Sequence, residues 1–437
     1  MIMILPIMKI LFVFPSTGRN ISSLNPWKLI KRVPFTFAQL IALTPKHHEI
    51  QVVDERYGDK VDFNKHYDLV AITCLTMYAN RAYEIADAFR KKGVTVVIGG
   101  YHSSALPNEA KQHADSVVIG EAEETWPRLL KDLENNRLKP FYKQETPVDP
   151  WLIPPAYRGR IGKYYPVLDV QATRGCPFKC EFCAIQNVEG SRYRKRPIND
   201  VINEIKSLKN TFFSFSDPSL TIDVEYTKQL FQEMKTLGKR FICHGNVNVL
   251  NENEELIKLS KEAGCQAWFI GFESVNQESL NSVKKKNKVE YYEETVKKIR
   301  KYGVGVKGLF MFGFDADTIS SFSTTLKFIN KMRLDVSYFS VLTPFPGTPV
   351  FKRFDEEGRL LTKNWSEYSF NNVVFKPKNM TREELYNNTR AVAKEYYSYS
   401  NMLKRTIDNG NLDFTRFKTK LELNILDWLS IKNEFGF

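Results

Sequence analysis

Short apolar segments alternate with helical segments along most of this 437-residue chain, and this alternation restricts the fold more than any other feature. Apolar strands separated by helical stretches are typical of parallel sheets, because a crossover between parallel strands needs a helix. Helical periodicity is clearest over 81–92 and 123–134. Residues 1–140 are therefore predicted to form a doubly wound parallel sheet. Its five predicted strands are 10–14, 50–53, 69–73, 94–98 and 117–119.

A second βα series follows a connector. Residues 141–165 contain four prolines and show no periodicity, which predicts a linker. Six βα units then occupy residues 166–350, two fewer than in a closed (β/α)8 barrel, so we expect a partial (β/α)6 barrel. Residues 351–437 are charged, aromatic and helical in pattern, and we expect a small C-terminal helical element that covers the substrate. The six predicted strands are 167–172, 212–215, 241–246, 267–272, 305–311 and 336–342.

Three of the six cysteines lie within eight residues, directly after the first strand of the second series. Cys176, Cys180 and Cys183 have the spacing C-x3-C-x2-C. Three thiolates can hold three irons of a [4Fe-4S] cluster and leave the fourth iron open to chelate the amino and carboxylate groups of a methionine. A zinc site is the alternative, but zinc usually takes four protein ligands, and Cys243 and Cys265 have no CxxC partner.

The segment 174–183 resembles the cluster motif of the cobalamin-dependent radical S-adenosylmethionine (SAM) enzymes, including the aromatic Phe182 before the third cysteine. Residues 96–110 and 114–130 resemble the cobalamin-binding half of the same family, and the likeness extends from about residue 9 to about residue 350. The resemblance implies a Rossmann or flavodoxin-like cobalamin domain, then a radical SAM barrel. It implies three cofactors: a [4Fe-4S] cluster, SAM and cobalamin.

The carboxyl ends of the barrel strands are where SAM should bind. Asp217, Asn246 and Glu273 lie at those predicted strand ends and are the candidates. The resemblance adds Phe182 and supports Glu273, which with Gly271 resembles the family's strand-four motif. For the polar residues the alternative is a cap of the turn that follows each strand. The basic run 192–196 is expected to be a solvated turn, with Arg194 as the residue best placed to bind a carboxylate or phosphate.

Six residues at the strand ends of the first sheet are expected to contact the corrin amides: Thr73, Thr76, Gly99, Gly100, Gly120 and Glu121. Better known cobalamin modules carry an Asp-x-His-x-x-Gly loop whose histidine ligates cobalt. Here the loop 54–58 reads DERYG and has no histidine, and its arginine stays protonated and cannot ligate a metal. His66 and His102 remain as alternatives for that position.

The resemblance implies a C-methyltransferase that moves a methyl group from methylcobalamin to an unactivated carbon, after a 5'-deoxyadenosyl radical abstracts hydrogen. A cyclase or carbon-carbon coupling enzyme is the alternative within the family, and a non-catalytic cobalamin or cluster sensor is the alternative outside it. An electron donor such as ferredoxin or flavodoxin is expected. A nucleic-acid partner is not expected, because no nucleic-acid module is recognisable.

Composition restricts the function less than the motifs do. The net charge of +13 suits an anionic partner, but lysines spread over solvated helices give the same sum. The N-terminal apolar run is interrupted by Pro6 and Lys9 and falls short of the roughly 20 residues that span a bilayer, so we expect a cytoplasmic protein. The ending resembles those of lipid-modifying members, and the apolar stretch 421–437 could lie on a membrane or cup a chain. A small-molecule or lipid substrate is expected, and peripheral membrane contact is left open.

Overall fold

The computed structural model describes residues 7–17 and 31–407 of the chain. The strands of the first sheet are β1 Lys9–Phe14, β2 Glu49–Asp54, β3 Leu69–Thr73, β4 Thr95–Gly99, β5 Ser116–Ile119 and β6 Phe141–Lys143. In the described chain they are all parallel, in the order β2-β1-β3-β4-β5-β6. The five predicted strands and the doubly wound sheet are confirmed. The strand order reverses between β1 and β3, which is where ligands of such sheets bind.

Five helices cover the two faces of this sheet: α1 Phe35–Ala42, α2 Ala79–Arg90, α3 Tyr101–Ala105, α4 Pro107–His113 and α5 Thr125–Glu134. Each face has its own apolar core. Phe89 of α2 is buried on one face, and Trp126 of α5 packs 5.6 Å from Phe12 on the other. The strands are apolar on both sides because both sides are covered.

The segment 141–165, predicted as a connector, belongs in part to the first sheet. Its first three residues are β6, and Tyr142 is buried with its hydroxyl donating to Asp132 at 2.8 Å. Tyr164, near its end, is also buried in the core of the first domain. The sequence pattern missed β6 because a three-residue edge strand carries too few residues to show a period.

The second sheet is also parallel, and it is confirmed as a partial barrel. Its strands, in the order β14-β13-β12-β11-β10-β7, are β7 Asp169–Val170, β10 Phe212–Phe215, β11 Arg240–Gly245, β12 Cys265–Glu273, β13 Gly305–Phe312 and β14 Val336–Val341. A two-stranded antiparallel ribbon, β8 Thr173–Arg174 and β9 Arg194–Lys195, flanks the cysteine loop. The helices between strands are α6 Ile198–Ser207, α7 Val224–Met234, α8 Val247–Glu252, α9 Glu254–Glu262, α10 Gln277–Ser282, α11 Tyr292–Lys301 and α12 Ile319–Met332.

The two faces of the second sheet differ in burial. On β11 to β14 one set of alternate residues is buried in the core against the helices, as Cys243, Trp268 and Phe310 are. The intervening residues, including His244 and Phe269, are only partly buried. Because successive side chains of a strand point to opposite faces, this second set lines the inner face of the partial barrel.

The C-terminal region begins with α13 Pro349–Glu356 and continues to α14 Arg382–Tyr396 and α15 Tyr399–Ile407. The segment between α13 and α14 packs on both domains: Trp365 and Tyr368 join the core of the first domain, and Phe375 joins that of the second. The indole of Trp365 donates to Glu109 at 2.8 Å. This segment therefore clamps the domains together. The stretch 421–437 lies outside the described residues.

None of the helices in the described part of the chain is both long enough and apolar enough to cross a bilayer.

Truncating the clamp should destabilise the protein. Trp365→Ala removes a ring that is 7% exposed and leaves Glu109 without one donor, so the free energy of unfolding should fall by about 3 kcal/mol. Trp151→Ala is the matched control, because that ring is 74% exposed, and it should change stability by less than about 0.5 kcal/mol. Urea denaturation followed by tryptophan fluorescence measures both. Equal losses in the two variants would contradict the clamp.

Candidate active site between the two sheets

The three cysteines lie on one loop that begins where β8 ends. Cys176, Cys180 and Cys183 are partly exposed, and all six cysteines, which the structure describes, are free of disulfides. The amide of Cys183 donates to the carbonyl of Cys180 at 3.1 Å. The side-chain amide of Gln186 donates to the carbonyls of Phe178 at 2.8 Å and Cys176 at 3.3 Å. The loop is thus held by its own hydrogen bonds, with three thiols available to a metal.

Glycine is required at the entrance to this loop. Gly175 has φ +75°, and a Cβ there would lie 2.2 Å from the carbonyl oxygen of Arg192. Its amide donates to Glu189 Oε2 at 2.9 Å. The turn that aims the first cysteine is therefore incompatible with any side chain at this position.

A lysine lies beside the three thiols. Burial raises the pKa of each cysteine, and the ammonium group of Lys285 acts against that rise at all three. Burial opposes the charge on Lys285 as well, but Glu273 and the nearby thiols raise the pKa of Lys285, so it stays protonated. A cation here favours the thiolate form, which is the form that binds iron.

Glu273 adopts a backbone conformation that is unusual for its residue type. Its φ is +63°, which costs on the order of 1 kcal/mol for a residue with a Cβ. The carboxylate accepts from Lys285 Nζ at 3.1 Å and folds back over Gly271, where a Cβ would lie 2.3 Å from Glu273 Oε1. It also raises the pKa of Cys180 and Cys183. Glu273 therefore lies at the cysteine loop.

Asp217 and Asn246, predicted to contact SAM, use their side chains within the protein. Asp217 accepts from the amide and hydroxyl of Thr173 and so ties β10 to the start of the cysteine segment. Burial raises the pKa of Asp217 to about 7, against the effect of those hydrogen bonds. Asn246 caps α8, accepting from the amides of Asn248 at 2.9 Å and Val249 at 3.3 Å. Asn246 therefore matches the turn-cap alternative, whereas Asp217 holds the backbone just before the cysteine loop.

Phe182 is partly buried against the core of the second domain, 6.2 Å from the ring of Phe314. Its ring therefore packs between the cysteine loop and the core of the second domain. A contact from Phe182 or Glu273 to SAM stays a prediction.

A cavity of about 290 Å³ lies at the carboxyl ends of β1, β3, β4 and β5, next to the cysteine loop. Phe37 and Trp126 belong to its apolar wall, while Arg174 and Glu189 of the second domain form its polar side. Five of the six residues predicted to contact cobalamin line it: Thr73, Gly99, Gly100, Gly120 and Glu121. Thr76 does not, since its hydroxyl lies 3.3 Å from His102 Nδ1.

The glycines at these strand ends fit a large flat ligand. Gly100 has φ +111°, and a Cβ there would lie 3.0 Å from the carbonyl oxygen of Cys74. Gly120 has φ +83°, and its amide donates to Ser104 Oγ at 3.0 Å. The backbone is therefore uncovered where the strands end, which lets a corrin ring approach it closely.

Neither histidine considered as a cobalt ligand lines this cavity. His66 is on the surface, with its side chain 77% exposed and 3.4 Å from Asp68. His102 is fully buried, and its ring nitrogens face Thr76 and, at 3.2 Å, Glu109. Neither ring therefore faces the cavity in this structure. Arg56, in the loop without histidine, binds Asp54 and stacks 3.5 Å above the ring of Phe14.

The cysteine loop and the cavity share one wall of buried ion pairs. Arg174, two residues before the first cysteine, donates to Glu121 at 3.0 Å and lies 2.6 Å from Glu123. Arg194 donates to both oxygens of Glu121, at 2.9 and 2.8 Å. Burial would raise the pKa of Glu123, but the Arg174 guanidinium lowers it. Two residues of the basic run are thus buried rather than solvated: Arg194 binds Glu121, and Arg196 binds Glu204 Oε2 at 2.7 Å.

Sequence reasoning missed Lys285, Glu123 and Glu189. Lys285 is the middle residue of three consecutive lysines, and nothing in the local pattern distinguishes it from its exposed neighbours. Glu123 and Glu189 acquire their roles from Arg174 and Gly175, partners that lie 51 and 14 residues away in the chain. A sequence motif contains residues of one segment only, so it does not show contacts between distant segments.

One further group of side chains has the spacing of a metal site, at the opposite end of the first sheet: His47, His48 and Glu134. Its chemistry argues against a metal. His48 Nδ1 accepts from the amide of Met8 at 3.2 Å, so the proton of the neutral ring lies on Nε2, the atom that faces Glu134 at 3.4 Å. A protonated nitrogen cannot bind a metal.

Removal of one loop cysteine should abolish iron binding. We expect about four irons per chain in the wild type after anaerobic reconstitution, and close to none in Cys176→Ala, because two thiolates hold a cubane poorly. Cys243→Ala is the matched control, since Cys243 is buried in the core away from the loop, and it should keep the wild-type iron content. Iron analysis and the visible spectrum measure both. Equal iron in the two variants would exclude the loop as the cluster site.

Breaking the shared wall should weaken both sites. Arg174→Gln leaves Glu123 buried without its cation, which should lower stability by about 3 kcal/mol and raise the dissociation constant of hydroxocobalamin roughly tenfold. Arg192→Gln is the control, because Arg192 is exposed on the same turn. Absorbance titration gives the corrin affinity. Wild-type corrin affinity and wild-type stability in Arg174→Gln would show that the ion pairs of Arg174 do not position either site.

Comparison with known proteins agrees with this geometry. A model of the B12 binding domain matches residues 56–130, and a model of the radical SAM superfamily matches residues 170–329. Residues 348–427 match a domain of unknown function, DUF4070. The two cofactor domains thus coincide with the two sheets.

Named relatives cover most of the chain. The chain is 34% identical to a bacteriochlorophyllide d C-12(1)-methyltransferase of Chlorobaculum tepidum, over 85% of this chain and 84% of that protein. It is 24% identical to a hopanoid C-2 methylase of Rhodopseudomonas palustris, over 81% and 71%. The radical SAM methyltransferase TsrM of Kitasatospora setae, solved with cobalamin and a [4Fe-4S] cluster, shares the fold at a TM-score of 0.71 and 16% identity, over 99% and 100% of the two chains. The chain belongs to the cobalamin-dependent radical SAM enzymes and is a C-methyltransferase of that family, with a [4Fe-4S] cluster, SAM and cobalamin as its cofactors.

Proposed function

We propose that this enzyme transfers a methyl group to an unactivated carbon of a hydrophobic, polycyclic small molecule. Relatives are named for bacteriochlorophyllide d and for hopanoids, both of which are hydrophobic ring systems. The inner face of the partial barrel suits such a substrate, because its partly exposed side chains on β12 to β14 include Phe269, Leu309, Met311 and Tyr338. A lipid remains within this class.

The observation that carries the proposal is the shared wall. Arg174 connects the cysteine loop directly to Glu121 and Glu123 of the cavity at the strand ends of the first sheet. A substrate bound between the two sheets would meet both cofactors. When bound, the cluster and SAM supply a radical able to remove a hydrogen atom from an unreactive C–H group, and cobalamin supplies the methyl group.

The protein's own residues hold and orient the cofactors. Lys285 and Glu273 place a cation and a carboxylate beside the thiols, where SAM would present its own carboxylate and amino group. The side chains of Phe37 and Trp126 give the cavity at the strand ends an apolar wall. The buried arginines fix the distance between the two sites, since each is 7% exposed or less.

Two further proposals concern the electron donor and the location of the protein. Reductive cleavage of SAM needs one electron, so we propose a low-potential donor such as ferredoxin or flavodoxin. The donor would approach from the exposed side of the cysteine loop, where Lys179 and Lys284 lie on the surface. A cytoplasmic location fits such a donor.

The test is the mass of the product. Reconstituted enzyme with SAM, methylcobalamin and a reductant should form 5'-deoxyadenosine together with a product heavier by one CH2, with bacteriochlorophyllide d and the hopanoid diplopterol as trial substrates. Cys176→Ala should form neither product. A loss of two hydrogens would establish the cyclase alternative instead. Formation of 5'-deoxyadenosine and product without cobalamin would overturn the proposal.

A further inference from the structure

The cavity at the strand ends of the first sheet continues inward as a slot between that sheet and α1. Ala71 and Val97 line it two residues before the ends of β3 and β4, which is about 7 Å inside the edge of the sheet. Helix α1 lines the slot with residues spaced three and four apart, which lie on one face of a helix. These residues are Thr36, Gln39, Leu40 and Leu43.

The slot is mostly apolar. Phe37 of α1 and Trp126 of α5 belong to its wall, and the indole N–H of Trp126 already donates to Thr44 Oγ1 at 3.0 Å. The polar groups on the side of the second domain bind within the protein, as Arg174 does with Gln171 at 2.7 Å. A flat and largely apolar ring is the kind of group that such a site accommodates.

Gln39 is the polar residue inside this apolar part of the wall. It is 6% exposed, yet neither the oxygen nor the nitrogen of its side-chain amide has a hydrogen-bond partner among the described residues. Buried polar groups are paired in most native proteins, because an unpaired group destabilises the fold. Thr36, on the same face of α1, is exposed to water. Gln39 therefore has both a donor and an acceptor to offer to a ligand in the slot.

One part of a corrinoid matches the slot. The corrin ring carries amide side chains around its rim, and the uncovered backbone at Gly100 and Gly120 gives it a place at the strand ends. Corrinoids such as cobalamin also carry a nucleotide tail that ends in a flat heterocyclic base. This base is narrow and largely apolar, so it is the part that fits between α1 and the sheet. Gln39 is the polar wall residue that it would meet there.

The amide of Gln39 discriminates between bases. Its nitrogen donates and its oxygen accepts, side by side in one plane. The dimethylbenzimidazole base of cobalamin, once detached from cobalt, offers one ring nitrogen as an acceptor and no N–H group, so it would leave the amide oxygen unpaired. Adenine offers an amino group beside a ring nitrogen, a pattern that glutamine binds with two hydrogen bonds in nucleic-acid recognition. A corrinoid with an adenine base would therefore satisfy both atoms.

We propose that Gln39 recognises the nucleotide base of the corrinoid and favours an aminopurine base, adenine, over dimethylbenzimidazole. The enzyme binds both corrinoids, because the corrin ring and its amides are the same in each. Gln39 determines the specificity within this class through its two hydrogen bonds to the base. This selection is independent of the acceptor substrate.

The test is equilibrium binding to the protein with its reconstituted cluster, followed by visible absorbance. The three ligands share one corrin ring and carry an adenine base, a dimethylbenzimidazole base (cobalamin) or no base (cobinamide). Gln39→Met should lower the ratio of the dissociation constant of cobalamin to that of the adenine corrinoid roughly tenfold, because adenine loses two hydrogen bonds and benzimidazole one. The cost of detaching benzimidazole from cobalt is the same in both proteins and cancels in this comparison.

Gln112→Met is the matched control, because Gln112 is exposed on α4 and does not line the cavity. It should leave all three dissociation constants unchanged. Gln39→Met should leave the cobinamide affinity unchanged as well. The melting temperature of the corrin-free Gln39→Met protein should equal or exceed that of the wild type, since methionine removes two unpaired polar atoms from the interior. A residue that only supported the fold would lower the melting temperature when replaced.

Three outcomes would overturn the inference. One is an unchanged ratio of dissociation constants in Gln39→Met. Another is equal weakening of all three ligands, cobinamide included, which would place the amide of Gln39 against the corrin ring instead of the base. The third needs no variant, since tighter binding of cobalamin than of the adenine corrinoid to the wild type would contradict the preference directly.

Discussion

The buried ion pairs of Arg174 and Arg194 with Glu121 and Glu123 hold the two halves of the enzyme in one arrangement. Removing one member of a buried pair leaves an uncompensated charge, which typically costs 3–5 kcal/mol, so the arrangement is difficult to distort. Guanidinium groups suit this role because they donate several hydrogen bonds in a fixed plane. Since Arg174 leads into the cysteine loop and Glu121 ends a strand of the first sheet, the position of one cofactor site fixes the other.

Around this wall the backbone comes unusually close to the sites. Gly100 and Gly175 occupy positions where a Cβ would meet backbone atoms, and Glu273 has a positive φ despite its side chain. Strain of this kind persists only where the surroundings impose it, and it concentrates at functional sites. The C-terminal clamp completes the arrangement, because Trp365 packs on the first domain while Phe375 packs on the second. The region predicted as a substrate cover therefore holds the domains together, and its role as a cover stays a prediction.

Sequence patterns predicted most of the regular structure. Eleven strands were placed because apolar runs of three to seven residues between helical stretches are hard to accommodate otherwise. The strand β6 was missed because it is short and lies at the edge. Among site residues, the cysteines were predictable from spacing alone. Asp217 and Asn246 were placed at the correct strand ends, but their side chains bind Thr173 and cap α8. Polar residues at strand ends serve both purposes, and sequence does not separate them.

The sequence by itself determined the two parallel sheets, the cysteine loop and the glycines of the first sheet, because periodicity and short motifs depend on neighbours along the chain. Only the tertiary structure decided which charges meet. Lys285, one of three consecutive lysines, lies near the thiols. Arg174 of the second domain forms an ion pair with Glu123 of the first. That the side-chain amide of Gln39 lacks a partner among the described residues is likewise visible only in the folded domain. Pairing, burial and desolvation are properties of distance in space, and no local pattern encodes them.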